Sequence, residues 1–486
     1  MEETLKVSTK NKLFYSMPSI ARDMAYTLYS MFLLVFLTNA VGVSNWELGA
    51  IGIVMAIIRV WDAVNDPIMG LIIDNTKSKW GKFKPWILLG GVTSGIFIFL
   101  LFQDYGLSGW SFVILFTILY LLLETSYTMN DIAYWSMYPS FTTNPREREK
   151  IGSLTRIFAS VGMFIVVALV PLIYPTFPGG QTVGFFWIAL IICLLFIVSQ
   201  IVVIFGVKAQ PSKIIHVKQE KTKFKNLLKI IFKNDQLVVI IVAILLFNIG
   251  YFTTTALGIY FFDYDYNKFG GSEFTFFTII LAVSQLSALA LFPKLVKVFS
   301  RKKIFTCAII LVVIGYLLFF GVGYVLPMHM LIIGLAGFAL FFGEGFIQVL
   351  IIVMLADTIE YGQWKLGTRN ESVVFAINPF VTKLATSIQT LIVTFTLIIS
   401  KMNELVINPL TELNKQNAGL DPIERIDKAR EFIGNNMTDS MRLILRLSMI
   451  IIPLILILIS YIIYRKKYKI DSKFYKQITD DLLKRY

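Results

Sequence analysis

Four clusters of ionisable residues lie inside long apolar stretches of this chain. A charge at mid-bilayer costs roughly 2.5–3.5 kcal/mol on insertion scales, so each cluster needs a reason. The first is Arg59-Val60-Trp61-Asp62-Ala63-Val64-Asn65-Asp66-Pro67. Asp62 and Asp66 are four residues apart and share one face of a helix. Two carboxylates so placed repel each other unless a cation or a proton lies between them. That suits a hard cation such as Na⁺ or Li⁺, or H⁺. Asn65 adds an amide oxygen, and Pro67 leaves a backbone carbonyl unpaired nearby. The alternative is a buried ion pair with Arg59, although one arginine cannot neutralise two acids. The second cluster is Glu124, Tyr127, Thr128, Asp131 and Trp135, whose offsets of 3, 4, 7 and 11 put all five on one helical stripe. An indole beside a carboxylate suits a sugar: the ring face covers the apolar C–H patch of a pyranose and the carboxylate accepts from its hydroxyls. Thr128 could lend a hydroxyl oxygen to the cation. The alternative is an interfacial Trp with a capping Asp. The third cluster is Arg22-Asp23, where Asp23 is a second hydroxyl acceptor or one half of an interfacial pair at a helix end. The fourth is Lys383, in Asn378-Pro379-Phe380-Val381-Thr382-Lys383. An ammonium there either faces a carboxylate, with the acids above as expected partners, or snorkels to the interface. Glu344 lies between Gly343 and Gly345, a pattern that suggests a broken helix, and has no assigned role.

The elements that must position these residues are membrane helices. The chain has 486 residues, 56% hydrophobic and 16% charged, with mean hydropathy +0.71. Globular chains are about 45–50% apolar and about 25% charged. The excess sits in blocks of about 20 residues, enough to cross a bilayer as a helix. This excludes a soluble enzyme, a secreted disulfide scaffold and a disordered chain. Cys193 and Cys307 both lie in apolar blocks, which argues against a structural disulfide. No P-loop, metal-ligand spacing or Gly-x-Ser-x-Gly occurs, so no enzyme chemistry is expected. Twelve spans are read at 24–42, 48–73, 86–104, 109–138, 157–175, 183–207, 236–262, 272–293, 304–322, 328–356, 372–400 and 447–464.

Of the 45 lysines and arginines, 35 fall in the N-terminal tail, in segments 74–85, 139–156, 208–234, 294–303 and 357–371, and in the tail from Arg465. Only six fall on the opposite side, at Lys268 and in the 401–440 loop. This bias places both termini in the cytoplasm. It also accounts for the net charge of +14 through topology and membrane lipids, with no nucleic-acid partner. The long basic segment 208–235 then divides a six-helix half at 1–207 from a second at 236–464. The second half contains an extracellular loop at 401–446, and 465–486 is a cytoplasmic tail. A weak echo links the halves: Asp131 is followed by Arg146-Glu147-Arg148-Glu149, and Asp357 by Arg369-Asn370-Glu371. The expected fold class is an all-α membrane protein, twelve transmembrane helices in two six-helix pseudo-repeats, as in the major facilitator architecture.

Trp61-Asp62-Ala63-Val64-Asn65-Asp66-Pro67-Ile68-Met69-Gly70, followed by Trp80-Gly81-Lys82-Phe83-Lys84-Pro85-Trp86, resembles the glycoside–pentoside–hexuronide:cation symporter family. The likeness continues through Tyr127-Thr128-Met129-Asn130-Asp131, Trp135 and Ala356-Asp357-Thr358-Ile359-Glu360-Tyr361-Gly362. The resemblance implies cation-coupled sugar uptake by alternating access, with Na⁺, Li⁺ or H⁺ as the coupling cation and no other cofactor. By motif match the cation is held by Asp62, Asp66 and Thr128, with Asn65 beside them, and Na⁺ would sit at Asp62 and Asp66. The sugar falls to Asp23, Asp131 and Trp135, with Arg22, Tyr127, Arg156, Lys383 and Asn378 completing the pocket. Gly70, Asp74 and Lys77 are spaced like a cytoplasmic gate loop, or form a plain positive-inside anchor. Glu124 departs from the family pattern, which has a small Gly there, and could be an accessory group beside the cation. Pro379 stands where a well-known member has a Thr, and Asn378 where it has a Gln. A neutral glycoside or pentoside is favoured over a hexuronide. The reading also implies a monomer in a bacterial plasma membrane. A lipid transporter on the same fold and a sugar-binding sensor are the rivals.

Overall fold

The computed structural model describes residues 7–137, 145–207, 232–367 and 371–485. It is almost wholly helical. The helices are α1 (Thr9–Ser16), α2 (Ser19–Val35), α3 (Asn45–Asn75), α4 (Lys84–Leu101), α5 (Gly109–Met137), α6 (Pro145–Ile173) and α7 (Gln181–Gly206). There follow α8 (Asp235–Tyr260), α9 (Glu273–Val298), α10 (Arg301–Gly321), α11 (Met330–Leu366) and α12 (Glu371–Ile399). The last are α13 (Asn408–Gln416), α14 (Pro422–Asn436), α15 (Asp439–Arg446), α16 (Ile452–Lys467) and α17 (Ser472–Arg485). Short π-helical turns extend α2 to Val41 and α8 to Asp265, and join α15 to α16. With no water to satisfy backbone groups, a membrane-spanning chain must pair them within each helix, which is why the apolar blocks fold this way.

Among the described residues, eleven helices are long and apolar enough to cross a membrane. The helix missing from that set is α3, whose 31 residues carry Glu47, Arg59, Asp62, Asp66 and Asp74. The expected break at Gly343 and Gly345 does not occur: α11 runs unbroken from Met330 to Leu366. These glycines instead allow close packing, since a Cβ on Gly343 would lie 2.6 Å from the Ala308 carbonyl oxygen of α10. Within the segment read as a loop at 401–446, Pro422–Asn436 forms the helix α14.

The helices gather into two compact units. In the first, α4 packs on α5 and α7, α3 on α5, and α2 on α6. Two later segments, Asp263–Thr275 and Leu397–Thr438, also belong to this unit. Polar contacts hold the second of them. Asn403 and Asn408 donate to the Val43 carbonyl, each at 3.0 Å, and the buried Arg425 donates to the carbonyls of Pro175 and Phe177, each at 2.8 Å. In the second unit α10 packs on α11, and α8 on α16 and α11. The linker read at 208–235 falls mostly outside the described residues.

Small residues set the closest approaches, as expected where helices associate without a hydrophobic driving force. A Cβ on Gly162 of α6 would collide with the Ile20 carbonyl of α2, and one on Gly315 of α10 would lie 2.6 Å from the Leu340 nitrogen of α11. Backbone, not a flexible side chain, opposes the added atoms in both cases. Gly162→Val is therefore expected to cost about 1–3 kcal/mol or more in packing strain. Thermal unfolding in detergent checks this, and a midpoint equal to that of the parent chain would refute the tight α2–α6 contact.

Candidate functional site

Two polar clusters in the first unit are built on successive turns of α5. The first lies against α3. Asp62 is buried and accepts a hydrogen bond from the Thr128 hydroxyl, itself buried. Asn65 is buried beside them, and its Nδ2 has no hydrogen-bond partner among the described residues. Asp66 is half-buried, one turn further along α3. The sequence left open whether Arg59 serves the acids of its own helix. Its Nε instead lies 3.3 Å from Oε1 of Glu124 on α5, with both side chains buried. The guanidinium also stacks over the Tyr29 ring, 5.6 Å from its centre.

One turn along α5, Arg22 of α2 pairs with Asp131. The arginine is 3% exposed and the aspartate 41%, so the pair opens to its surroundings on the carboxylate side. Arg22 lies over the Tyr134 ring at 4.3 Å and near the rings of Tyr127 at 6.0 Å and Trp135 at 5.8 Å. Arg156 of α6 sits over Trp135 at 5.3 Å. The half-buried Asp23 is within electrostatic reach of Arg22, Asp131 and Arg156. The structure thus brings together Arg22, Asp23, Tyr127, Asp131, Trp135 and Arg156, all six singled out in the sequence. Arg22 proves to be the partner of Asp131 more than of its chain neighbour. Its Nε is buried and has no hydrogen-bond partner among the described residues.

The sequence reading missed the aromatic support. Tyr15 and Tyr134 stack at 4.5 Å, and each hydroxyl donates to the other's backbone carbonyl, at 2.9 and 2.5 Å. This lock fixes the ring on which Arg22 rests. Tyr26, Tyr29 and Tyr127 form a second group with centroids 5.3–5.6 Å apart. Tyr134 was within reach of sequence reasoning, being three residues beyond Asp131 on the same stripe. Tyr15 lies on α1, and nothing in spacing connects it to α5. Asn130 acts as a buried brace, donating to the Ile87 carbonyl at 2.8 Å and to Gln200 Oε1 at 2.9 Å, and so ties α4, α5 and α7 together.

The remaining candidates are less gathered. Lys383 and Asn378 are half-buried on α12, in the second unit. Gly70 is half-buried on α3 and Lys77 is exposed just beyond it, while the side chain of Asp74 lies outside the described residues. In the second unit Asp357 is bound by Arg301, 2.5 Å away. The two echo acids, Asp131 and Asp357, therefore each pair with an arginine from near the start of another helix in their own unit. Glu344 is fully buried, and the Tyr316 hydroxyl is 3.4 Å from its Oε1.

A family model described as MFS/sugar transport protein matches residues 14–472. The chain belongs to the MFS/sugar transport protein family. The family expected from the motifs of α3 and α5 is thus the one found. Among its relatives, the lactose permease of Leuconostoc lactis is 31% identical over 77% of this chain and 61% of that protein. The raffinose carrier protein of Pediococcus pentosaceus is 30% identical over 80% of this chain and 62% of that protein. The chain thus spans about three fifths of the length of these relatives. A solved bacterial homolog of the human lysosomal transporter Spinster, inward-facing and unoccupied, matches 94% of this chain and 95% of that one. Its TM-score is 0.59 at 13% identity, a likeness of fold alone.

Proposed function

We propose that this chain is a sugar:cation symporter that takes up a neutral glycoside or pentoside by alternating access. The observation that carries this is the adjacency of the two clusters on α5. Thr128, bonded to Asp62, and Asp131, bonded to Arg22, are three residues apart, about 4.5 Å along the helix axis at 1.5 Å per residue. A cation at Asp62, Asp66 and Thr128 and a sugar at Asp131 and Trp135 would therefore act on one rigid segment. Whatever one ligand does to the position of α5, the other meets, and linkage makes that coupling reciprocal. Asn65 would turn its amide oxygen to the cation. Asp23 and Asp131 would accept from sugar hydroxyls while Arg22 and Arg156 donate, and Lys383 and Asn378 keep the roles their motif implies. Counting the charged α3 as the twelfth span, the chain would have both termini in the cytoplasm and sit as a monomer among the lipids of a bacterial plasma membrane. The lactose and raffinose named for the relatives are uncharged galactosides, which supports a neutral sugar over a hexuronide.

The test is sugar-triggered cation entry into de-energised vesicles, with a panel of neutral glycosides and separate Na⁺, Li⁺ and H⁺ readouts. One sugar is expected to drive entry of one cation. Sugar binding without any cation movement across the panel would overturn symport, and uptake of hexuronides alone would overturn the neutral substrate.

A further inference from the structure

We infer that Glu124 sets the charge of the proposed cation site by holding Arg59 away from Asp62, an inference that rests on reading Asp62 and Asp66 as cation ligands. Arg59 is a fixed positive charge, since a guanidinium is not deprotonated in proteins. It is 6% exposed, so it must be balanced where it lies. Helix geometry offers it Asp62, one turn away on the same strip of α3. The structure gives it Glu124 instead, 1% exposed and 3.3 Å from its Nε, with the Tyr29 ring against the guanidinium.

The arrangement sorts charges by turns of α5. Glu124 serves Arg59, and Thr128, one turn on, serves Asp62. One arginine is thus balanced by one glutamate, and its charge is kept off Asp62. With a neutral side chain at 124, Arg59 would be left buried beside Asp62 on its own helix. The cheapest relief is for the guanidinium to turn to that carboxylate, where it would compete with the transported ion. Glu124 then acts through Arg59, as a charge-balancing residue and not as an ion ligand.

The experiment measures Na⁺ and Li⁺ binding to the purified full chain by calorimetry, in the parent, in Glu124→Gln and in the double variant Arg59→Gln/Glu124→Gln. Sugar affinity without cation is measured in parallel. Glu124→Gln is expected to weaken Na⁺ binding about tenfold or more, because an uncompensated charge one turn away acts at close range in a low dielectric. The double variant is expected to return to within about threefold of the parent, and sugar affinity without cation to stay within about threefold throughout. Restored binding in the double variant is a result that lost packing or a lost ligand would not produce. If Glu124→Gln binds Na⁺ like the parent, or if the double variant stays as weak as the single one, the inference fails. Should Glu124→Gln not fold, the double variant decides alone: parent-like binding supports the inference and weak binding overturns it. A parent chain that binds neither ion overturns the cation-ligand reading of Asp62 and Asp66 for metal ions, and the inference with it. That failure is distinguished by appearing in the unsubstituted protein.

Discussion

Asp62→Asn is expected to abolish sugar-driven cation entry and to weaken cation binding by at least about a hundredfold, or about 2.8 kcal/mol. The carboxylate is buried and already held by Thr128, so its geometry is set before any ion arrives. The amide of Asn keeps the shape and an oxygen while removing the charge. A hard cation binds oxygen ligands chiefly through that charge, and the buried setting screens it weakly. The same substitution should spare much of the sugar affinity measured without cation, because Asp131, Trp135 and Arg22 are untouched. Paired titrations of cation and sugar on the purified protein check this split. Equal loss of both would mean that Asp62 holds the helices together, and retained cation affinity would remove it from the site.

Asp131→Asn carries the second large effect, in the opposite sense. Arg22 is buried, and Asp131 is its paired acid. Neutralising the partner leaves a buried cation poorly satisfied, and a lost hydrogen bond to a charged group costs about 1.5–3 kcal/mol. Sugar affinity is therefore expected to fall about tenfold to a hundredfold, while Na⁺ affinity without sugar changes by less than about threefold. Tyr134 and Tyr15 should keep the arginine in place, since their mutual hydrogen bonds do not involve Asp131. Equilibrium binding of labelled galactoside gives the first number and calorimetry the second. Unchanged sugar affinity would place the sugar elsewhere.

Much of this protein was legible in its residues alone. The apolar blocks specify helices because a membrane leaves backbone groups no other partners, and the blocks appear as the long helices α2 to α12 and α16. Helical periodicity put Tyr127, Asp131 and Trp135 on one stripe, and all three meet Arg22. It likewise put Asp62 and Asp66 on one face of α3. Periodicity tells which residues share a face but not which faces meet. That Arg59 turns to Glu124, that Arg22 turns to Asp131, and that Tyr15 of α1 braces Tyr134 of α5 were decided by how separate helices pack. Position 343 makes the same point within one helix. A Gly-Glu-Gly run reads as a break when the strand of residues is taken alone, yet α11 continues through it because α10 needs the space that a side chain would fill. The segment Leu397–Thr438 lies in the second half of the sequence but packs with the first unit, through Arg425, Asn403 and Asn408 bonding to carbonyls of that unit. Those carbonyls are backbone groups carried by every residue type, so no spacing in the chain marks them. Residue types and spacing thus determined the helices, the family motifs and the candidate ligands. Only the tertiary structure decided which charge each one answers.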